Sequence, residues 1–404
     1  MSKGDLTLGW AVTANHEPKY WLKKNPSPGE QSIEDLVQVD AGNLATHTII
    51  IAPSGSGKSF FLGRLVEEII IQTRARCLIL DPNGDFFKVS QIDETLWKNP
   101  QYDRNNRTGK LPTESNCAEF KEKWSDVTKR VRSARDEGSI AKDEDGVPQS
   151  LDVWWPSMTS DFLSEGLDSF SDRAIVAERF ASANVWNYYF SKAYQFLAEG
   201  IITKGLRIPE VGEARLEVID LVSVTSKESR GLVVNSILDA EWTRSREEWR
   251  STMKTSPEND RRVPTFIVLD EAHNLIPTET RSKSEKSVLE QFRSIASEGR
   301  KYGLFLILVT QRPDKIDPRI LSECENKALL RMFSTEQLRI TGSSLGADRG
   351  LSKEMGRCLK FPTGCVMIEG KWAKYRTKVF YSAARRTVEG GRGLRRDYWA
   401  GPMQ

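Results

Sequence analysis

An apolar stretch from Thr48 to Ala52 runs straight into a Gly/Ser loop and then into an amphipathic segment, together reading HTIIIAPSGSGKSFFLGRLVEEII. This is the feature that most restricts the fold: a strand, a tight loop and a helix in immediate succession, the opening of a βα unit. Gly55 and Gly57 let the backbone curl so that successive N–H groups point inward at an anion. The helix begins at the same spot, and its dipole adds positive potential there. Lys58 can reach terminal phosphates, and the Ser59 hydroxyl can ligate Mg²⁺. Ser54, Gly55, Ser56, Gly57, Lys58, Ser59 and Phe60 therefore make a phosphate cradle, with ATP and Mg²⁺ as the expected cofactors. Ala52 stands where the usual motif begins with glycine.

The 404 residues allow one large core, or a core with a subdomain. Hydrophobic content of 38% and charged content of 28% suit a globular chain. A net charge of +3 gives no global polyanion signal, so nucleic acid would have to be met by local patches. The five cysteines form no C-x-x-C pair and read as buried or free thiols, and three histidines argue against a His-based metal site. No run approaches a membrane-spanning length and the N-terminus carries no signal-peptide pattern, so the expectation is a cytoplasmic protein with no membrane partner.

Continuous rather than alternating apolar runs mark strands buried on both faces. They occur at Arg76–Asp81, ending in the turn DPNGDF, at Leu216–Val222, at Phe266–Asp270 and at Leu304–Thr310. Helical patterns fall near Arg230–Met253 and Ser287–Gly299, and further strands are expected at Ala328–Phe333, Gly364–Glu369 and Thr377–Tyr381. Strands alternating with helices predict an α/β fold with a mostly parallel sheet covered on both faces. The domain reading is a short segment at 1–46, a core formed by 47–86 and 215–381, a mostly helical insertion at 87–214, and an arm at 382–404. Within the insertion the sequence predicts a charged helix near Ala118–Arg135. Trp154, Trp155, Trp186, Tyr188 and Tyr189 read as subdomain core ahead of base-stacking surfaces.

Hydrolysis needs a metal, a positioned water and charge neutralisation beyond the cradle. Asp270 at a strand tip can hold Mg²⁺ through water, and Glu271, one residue on, can polarise the attacking water. Gln311, at the tip of Leu304–Thr310, can sense the γ-phosphate. Arg300 and Lys301, in EGRKYG, have two readings: cations favourable at a helix C-terminus, or an arginine reaching a neighbouring subunit's phosphate.

APSGSGKS, DPNGDF, FIVLDEAHNLIP, EGRKYG, VTQRPDKIDPRILSECENKALLRM and PTGCVMIEG together resemble the HerA-type ATPases of the HerA–FtsK superfamily. The resemblance covers most of the chain from about Asp40 to Tyr381, except Phe87 to Ala214. It implies a RecA-like P-loop NTPase core with a helical subdomain, assembled as a homohexamer that translocates double-stranded DNA without reading its sequence. Lys58 and Ser59 match the family's phosphate-loop residues, Asp270 and Glu271 its metal and water positions, and Gln311 its sensor. Arg300 matches the segment offering the trans arginine, with Arg331 a second candidate. Family members usually carry a sizeable N-terminal β-barrel; here only a short segment precedes the first strand. That shortening, with the occurrence of bacterial relatives in antiviral defence operons, implies an effector partner, a nuclease or an NAD-cleaving enzyme. Arg281, Lys283 and Lys286, within Thr278–Lys286, are the candidates for a DNA-facing pore loop, against a plain solvated loop.

Overall fold

A computed structural model describes residues 5–16, 36–86, 122–125, 127, 129–133, 214–222, 227–253, 262–280, 283–346 and 354–382. Their strands are β1 (Asp5–Ala11), β2 (Leu36–Asp40), β3 (Thr48–Ile51), β4 (Arg76–Asp81), β5 (Lys129–Ser133) and β6 (Leu216–Asp220). They continue with β7 (Thr265–Leu269), β8 (Leu304–Thr310), β9 (Asn326–Leu329), β10 (Cys365–Glu369) and β11 (Lys378–Ser382). The helices are α1 (Lys58–Gln72), α2 (Lys227–Thr252), α3 (Lys283–Tyr302), α4 (Pro318–Ser322) and α5 (Thr335–Ser344). All the strands join one sheet in the order β2-β1-β11-β10-β9-β3-β8-β7-β4-β6-β5. From β9 to β5 every pairing is parallel, and β10, β11, β1 and β2 extend the sheet in antiparallel fashion.

The continuous apolar runs have a simple cause. Ile49, Ile51, Leu78, Leu80, Ile267 and Leu308 face one core with Val233, Ile237, Phe292 and Ile295 from α2 and α3. Ile50, Ile79, Val268, Ile307 and Val309 face a second core with Phe61, Leu65 and Ile69 from α1. Successive side chains alternate between two dry faces, so the interiors of these strands are apolar and polar residues such as Thr48, Arg76, Asp81, Thr265 and Thr310 fall at strand ends. This is the RecA-like α/β core, with the mostly parallel sheet expected from the sequence. The four described cysteines are buried.

The N-terminal segment joins the same sheet. Thr7 donates its N–H to Glu68 and accepts from Arg64 through its carbonyl, each at 2.9 Å, so a fully buried ion pair on α1 clasps β1. Gly9 lies so close to β11 that a Cβ there would stand 2.0 Å from the Tyr381 carbonyl. Within the helix expected near Ala118–Arg135, the described residues show helix at 122–125 and, in place of helix at Lys129–Ser133, β5, which pairs in parallel with β6 at the sheet edge. A Lys/Arg-rich stretch suits an edge strand, where charge blocks further pairing. The strand expected at Ala328–Phe333 starts two residues earlier and leaves the sheet after Leu329. Trp154, Trp155, Trp186, Tyr188 and Tyr189, and the arm at 382–404 beyond its first residue, lie outside the described residues.

His47 fixes the position of β3. It is fully buried, accepts from the Leu306 N–H at 2.9 Å and donates to the Ala296 carbonyl at 3.0 Å, tying β3 to β8 and α3. Burial, with Arg300 nearby, pushes its pKa down from 6.5 to about 4. Between those values the unfolded chain takes up a proton that the folded chain refuses, so this contribution is complete above about pH 6.5 and is lost as pH falls toward 4. The loss is on the order of 3 kcal/mol. Chemical denaturation at several pH values should show it, and the pH dependence in this window should shrink in a His47→Gln variant.

Candidate phosphate-binding site

The loop after β3 is shaped from within and from outside. Ser56 donates both its N–H (3.1 Å) and its hydroxyl (2.6 Å) to the Pro53 carbonyl, which closes the loop on itself. Gly55 (φ 76°) and Gly57 (φ 103°) adopt left-handed backbone that a side chain would strain. The Gly364 N–H, in the turn before β10, donates to the Ser56 carbonyl at 2.9 Å, and the Thr363 hydroxyl reaches the Gly55 carbonyl at 3.4 Å. A Cβ on Gly57 would stand 3.1 Å from Gly364, so the two glycines pack backbone to backbone. Because the peptide is planar and trans, a Ser56 carbonyl held outward aims the Gly57 N–H toward the cradle.

Three strand ends converge on Lys58, the first residue of α1. Its Nζ lies 2.9 Å from Asp270 and 2.5 Å from Glu271, just past β7. Burial opposes the charge on Lys58, but the two carboxylates outweigh it and hold its pKa above the ordinary value. Gln311, just past β8, donates to Glu271 Oε1 at 2.7 Å. Glu271 has φ 47°, unusual for a side-chain-bearing residue, and its Oε2 is buried with no hydrogen-bond partner. His273 Nδ1 lies 3.6 Å from Glu271 and 3.1 Å from the Thr310 hydroxyl. Lys58, Asp270, Glu271 and Gln311, scattered over the sequence, thus meet at one point.

The DPNGDF turn closes the other side, and sequence reasoning assigned it no site residue. Asp81, fully buried at the end of β4, accepts N–H groups from Asn83, Gly84, Asp85 and Phe86 at 2.8 to 3.2 Å. Burial pushes its carboxyl up to about 6 against the pull of those N–H groups. The turn then places Asn83 at 3.3 Å from Asp270 and Asp85 at 3.1 Å from the Ser59 hydroxyl. The readable signal was an Asp followed by Asn-Gly at a buried strand's end, the chemistry of a self-bonded turn.

Arg300 lies at the opposite sheet edge, where α3 hands over to β8. It binds Glu325 at 2.6 Å and the Glu323 carbonyl at 3.2 Å, beside the start of β9. Within one chain the structure does not bring it to the cradle. Arg331 stands at the cradle edge itself, just after Leu330, whose N–H donates to the Ile51 carbonyl, and its guanidinium lies 4.9 Å from the Phe333 ring. Thr278–Lys286 is not one loop, because Lys283 and Lys286 belong to the first turn of α3; Arg281 lies outside the described residues.

The turn before β10 supports a direct test. Gly364 has φ 88°, and a Cβ there would press on Tyr381 at 3.3 Å. Gly364→Ala should keep the fold, cost about 1–3 kcal/mol of stability, and weaken triphosphate binding by about tenfold, read by thermal unfolding and by titration with a fluorescent ATP analogue.

Comparison with known proteins agrees with this geometry. Residues 29–126 match the family model for the HerA helicase central domain, and residues 210–332 match that of the AAA ATPases, the family associated with various cellular activities. The chain is 25% identical over 355 residues to the DNA double-strand break repair helicase HerA of Saccharolobus solfataricus, covering 84% of this chain and 64% of that protein. It is 22% identical to the HerA of Pyrococcus furiosus, covering 81% of this chain and 66% of that one. The chain thus spans somewhat under two thirds of the length of these relatives. In fold it is similar to VirB4 of Thermoanaerobacter pseudethanolicus, with TM-score 0.50, 15% identity, and coverage of 89% of this chain and 97% of the other. A glycine-shaped cradle, an acidic strand tip and a polar strand tip thus meet in one sheet, in a chain that is similar to the HerA-type ATPases over most of its length.

Proposed function

We propose that this chain is an ATP-hydrolysing motor that moves double-stranded DNA through a ring of six identical protomers. The observation that carries the reading is the split between the two sheet edges. Lys58, Asp270, Glu271 and Gln311 stand together at one edge, and Arg300 stands at the other. Phosphoryl transfer gains from a second cation at the γ-phosphate. Head-to-tail copies would bring one protomer's Arg300 to the next protomer's cradle, and such contacts close into rings. The relatives named as DNA repair helicases support the DNA-handling part.

In this reading Lys58 exchanges its carboxylate partners for the β- and γ-phosphates. The unclaimed Oε2 of Glu271 accepts a proton from water as the water oxygen bonds to the γ-phosphorus and the bond to the β-phosphate oxygen breaks. Gln311, already bonded to Glu271, orients that water. Ser59 and Asp270 suit Mg²⁺: both are hard oxygen donors beside the cradle, with Asp85 against Ser59. Among the described residues no group of three or more His, Cys, Asp or Glu forms a metal site, so the ion would share the nucleotide's phosphates. When bound, it neutralises charge on them. The core at 47–86 and 215–381 would carry this chemistry, with 87–214 as a helical insertion. DNA phosphates would meet Arg281, Lys283 and Lys286 without sequence preference. A nuclease or NAD-cleaving effector would be the partner, in the cytoplasm.

A second reading, an ATP-dependent hexameric scaffold that gates a defence effector, is favoured by the net charge of only +3. Stimulation of turnover by duplex DNA separates the two: a motor responds to DNA, a scaffold to its effector.

Lys58→Ala should abolish ATP turnover, and retained turnover would refute the cradle. Glu271→Gln should bind ATP and lower kcat by about 10²–10⁴ in steady-state assays. Arg300→Ala should lose about 10³ in kcat, with part restored on mixing with Glu271→Gln protomers, because intact cradles then face intact arginines.

A further inference from the structure

The turn joining β10 to β11 is built against the preferences of its own residues. The Tyr375 N–H donates to the Gly370 carbonyl at 2.8 Å, and the Arg376 N–H to the Ala373 carbonyl at 3.2 Å. Its two central residues, Lys374 and Tyr375, both have φ 54°. That is the type I′ geometry, which favours Asn-Gly and strains side-chain-bearing residues. Tyr375 is 70% exposed, the most exposed large hydrophobic among the described residues. A strained turn that presents an aromatic ring to solvent marks a functional element more readily than a packing one.

The turn is also firmly mounted. Trp372 is buried, donates its backbone N–H to Asn326 Oδ1 at 3.0 Å, and donates its indole N–H to the Glu369 carbonyl at 2.9 Å. Gly370 lies so near that a Cβ would stand 2.1 Å from the Glu325 carbonyl. Glu325 is the residue that holds Arg300. The Tyr375 turn and Arg300 therefore flank one short segment, 323–327, on one sheet edge. Lys371, Lys374 and Arg376 add charge there and make no ion pair among the described residues. The opposite edge carries Asp85, Asp220, Asp270, Glu271 and Asp314 against Lys58, Arg312, Lys315 and Arg331, a small excess of carboxylates before any phosphate is counted.

We propose that the Lys374–Tyr375 turn is a docking knob that inserts into the carboxylate-rich cradle edge of a second copy of this chain and thereby seats Arg300 there. The inference rests on the trans-arginine reading above and assigns it a second, purely positioning element.

The test uses the full chain. Lys374→Asn with Tyr375→Gly replaces the pair by the sequence that the turn prefers. The double variant should keep or raise its Tm and bind a fluorescent ATP analogue as the unaltered protein does. Its assembly midpoint, followed by sedimentation velocity, should rise at least about tenfold in protomer concentration, the cost of losing an interface tyrosine. Turnover per protomer should fall at low concentration and return at high concentration. Tyr375→Phe should assemble normally, and Tyr375→Ser, which leaves Lys374 in place, should reproduce the defect. Unchanged assembly in the double variant overturns the proposal. So does lost assembly with a lowered Tm in both the double and the serine variants, because the turn would then serve only the fold. If Arg300→Ala still complements Glu271→Gln while the turn variants assemble normally, the knob alone falls. A monomeric protein with turnover independent of concentration brings down the trans-arginine reading along with it.

Discussion

The buried Lys58 ammonium is the constraint around which the site is arranged. A cation out of water needs anions within contact distance, and it has two, Asp270 and Glu271. They arrive from more than two hundred residues away, because β3, β8 and β7 lie side by side, run parallel and end within two residues of one another. The same side chains that neutralise Lys58 also define where a triphosphate and its attacking water would sit. Folding electrostatics and chemistry therefore draw on one set of groups. A change at Asp270 or Glu271 strands a buried lysine as well as removing a reactive oxygen.

Around that charge centre, backbone hydrogen bonds hold the cradle's walls. Ser56 closes the loop inward, and Gly364 braces it from the turn before β10. Asp81 gathers four N–H groups so that Asn83 and Asp85 reach Asp270 and Ser59. His47, at the far end of β3, locks the register that brings Ile51 level with Thr310. None of these residues touches the lysine. Each decides where a residue that does touch it will stand.

The two ends of the sheet have different characters. One collects carboxylates and the glycine loop; the other carries Arg300, paired with Glu325, together with Lys371, Lys374 and Arg376. Such polarity within one protomer is what a head-to-tail contact requires, since each copy must present unlike surfaces to its two neighbours.

Much of the fold was legible because its strands are buried on both faces, so their apolar runs are unbroken; Arg76–Asp81 and Leu304–Thr310 match β4 and β8 to the residue. The meeting of Lys58 with Asp270, Glu271 and Gln311 could be anticipated from the loop and strand-tip pattern, since parallel strands in one sheet present their C-terminal ends together. Less legible were β1, β2 and β5, short antiparallel or edge strands of mixed polarity; the alternation of Leu6, Leu8 and Trp10 in β1 is a period-two signal, but it does not say which strand β1 joins. The edge on which Arg331 stands, the brace at Gly364 and the reach of Asp85 to Ser59 depend on which distant segment lies alongside. By itself, then, the sequence determined the local elements and the chemistry of the loop, because backbone conformation and side-chain type are short-range properties. Tertiary structure alone decided which residues surround Lys58, and that Arg300 stands at the far edge, because strand order is a long-range property that no local pattern encodes.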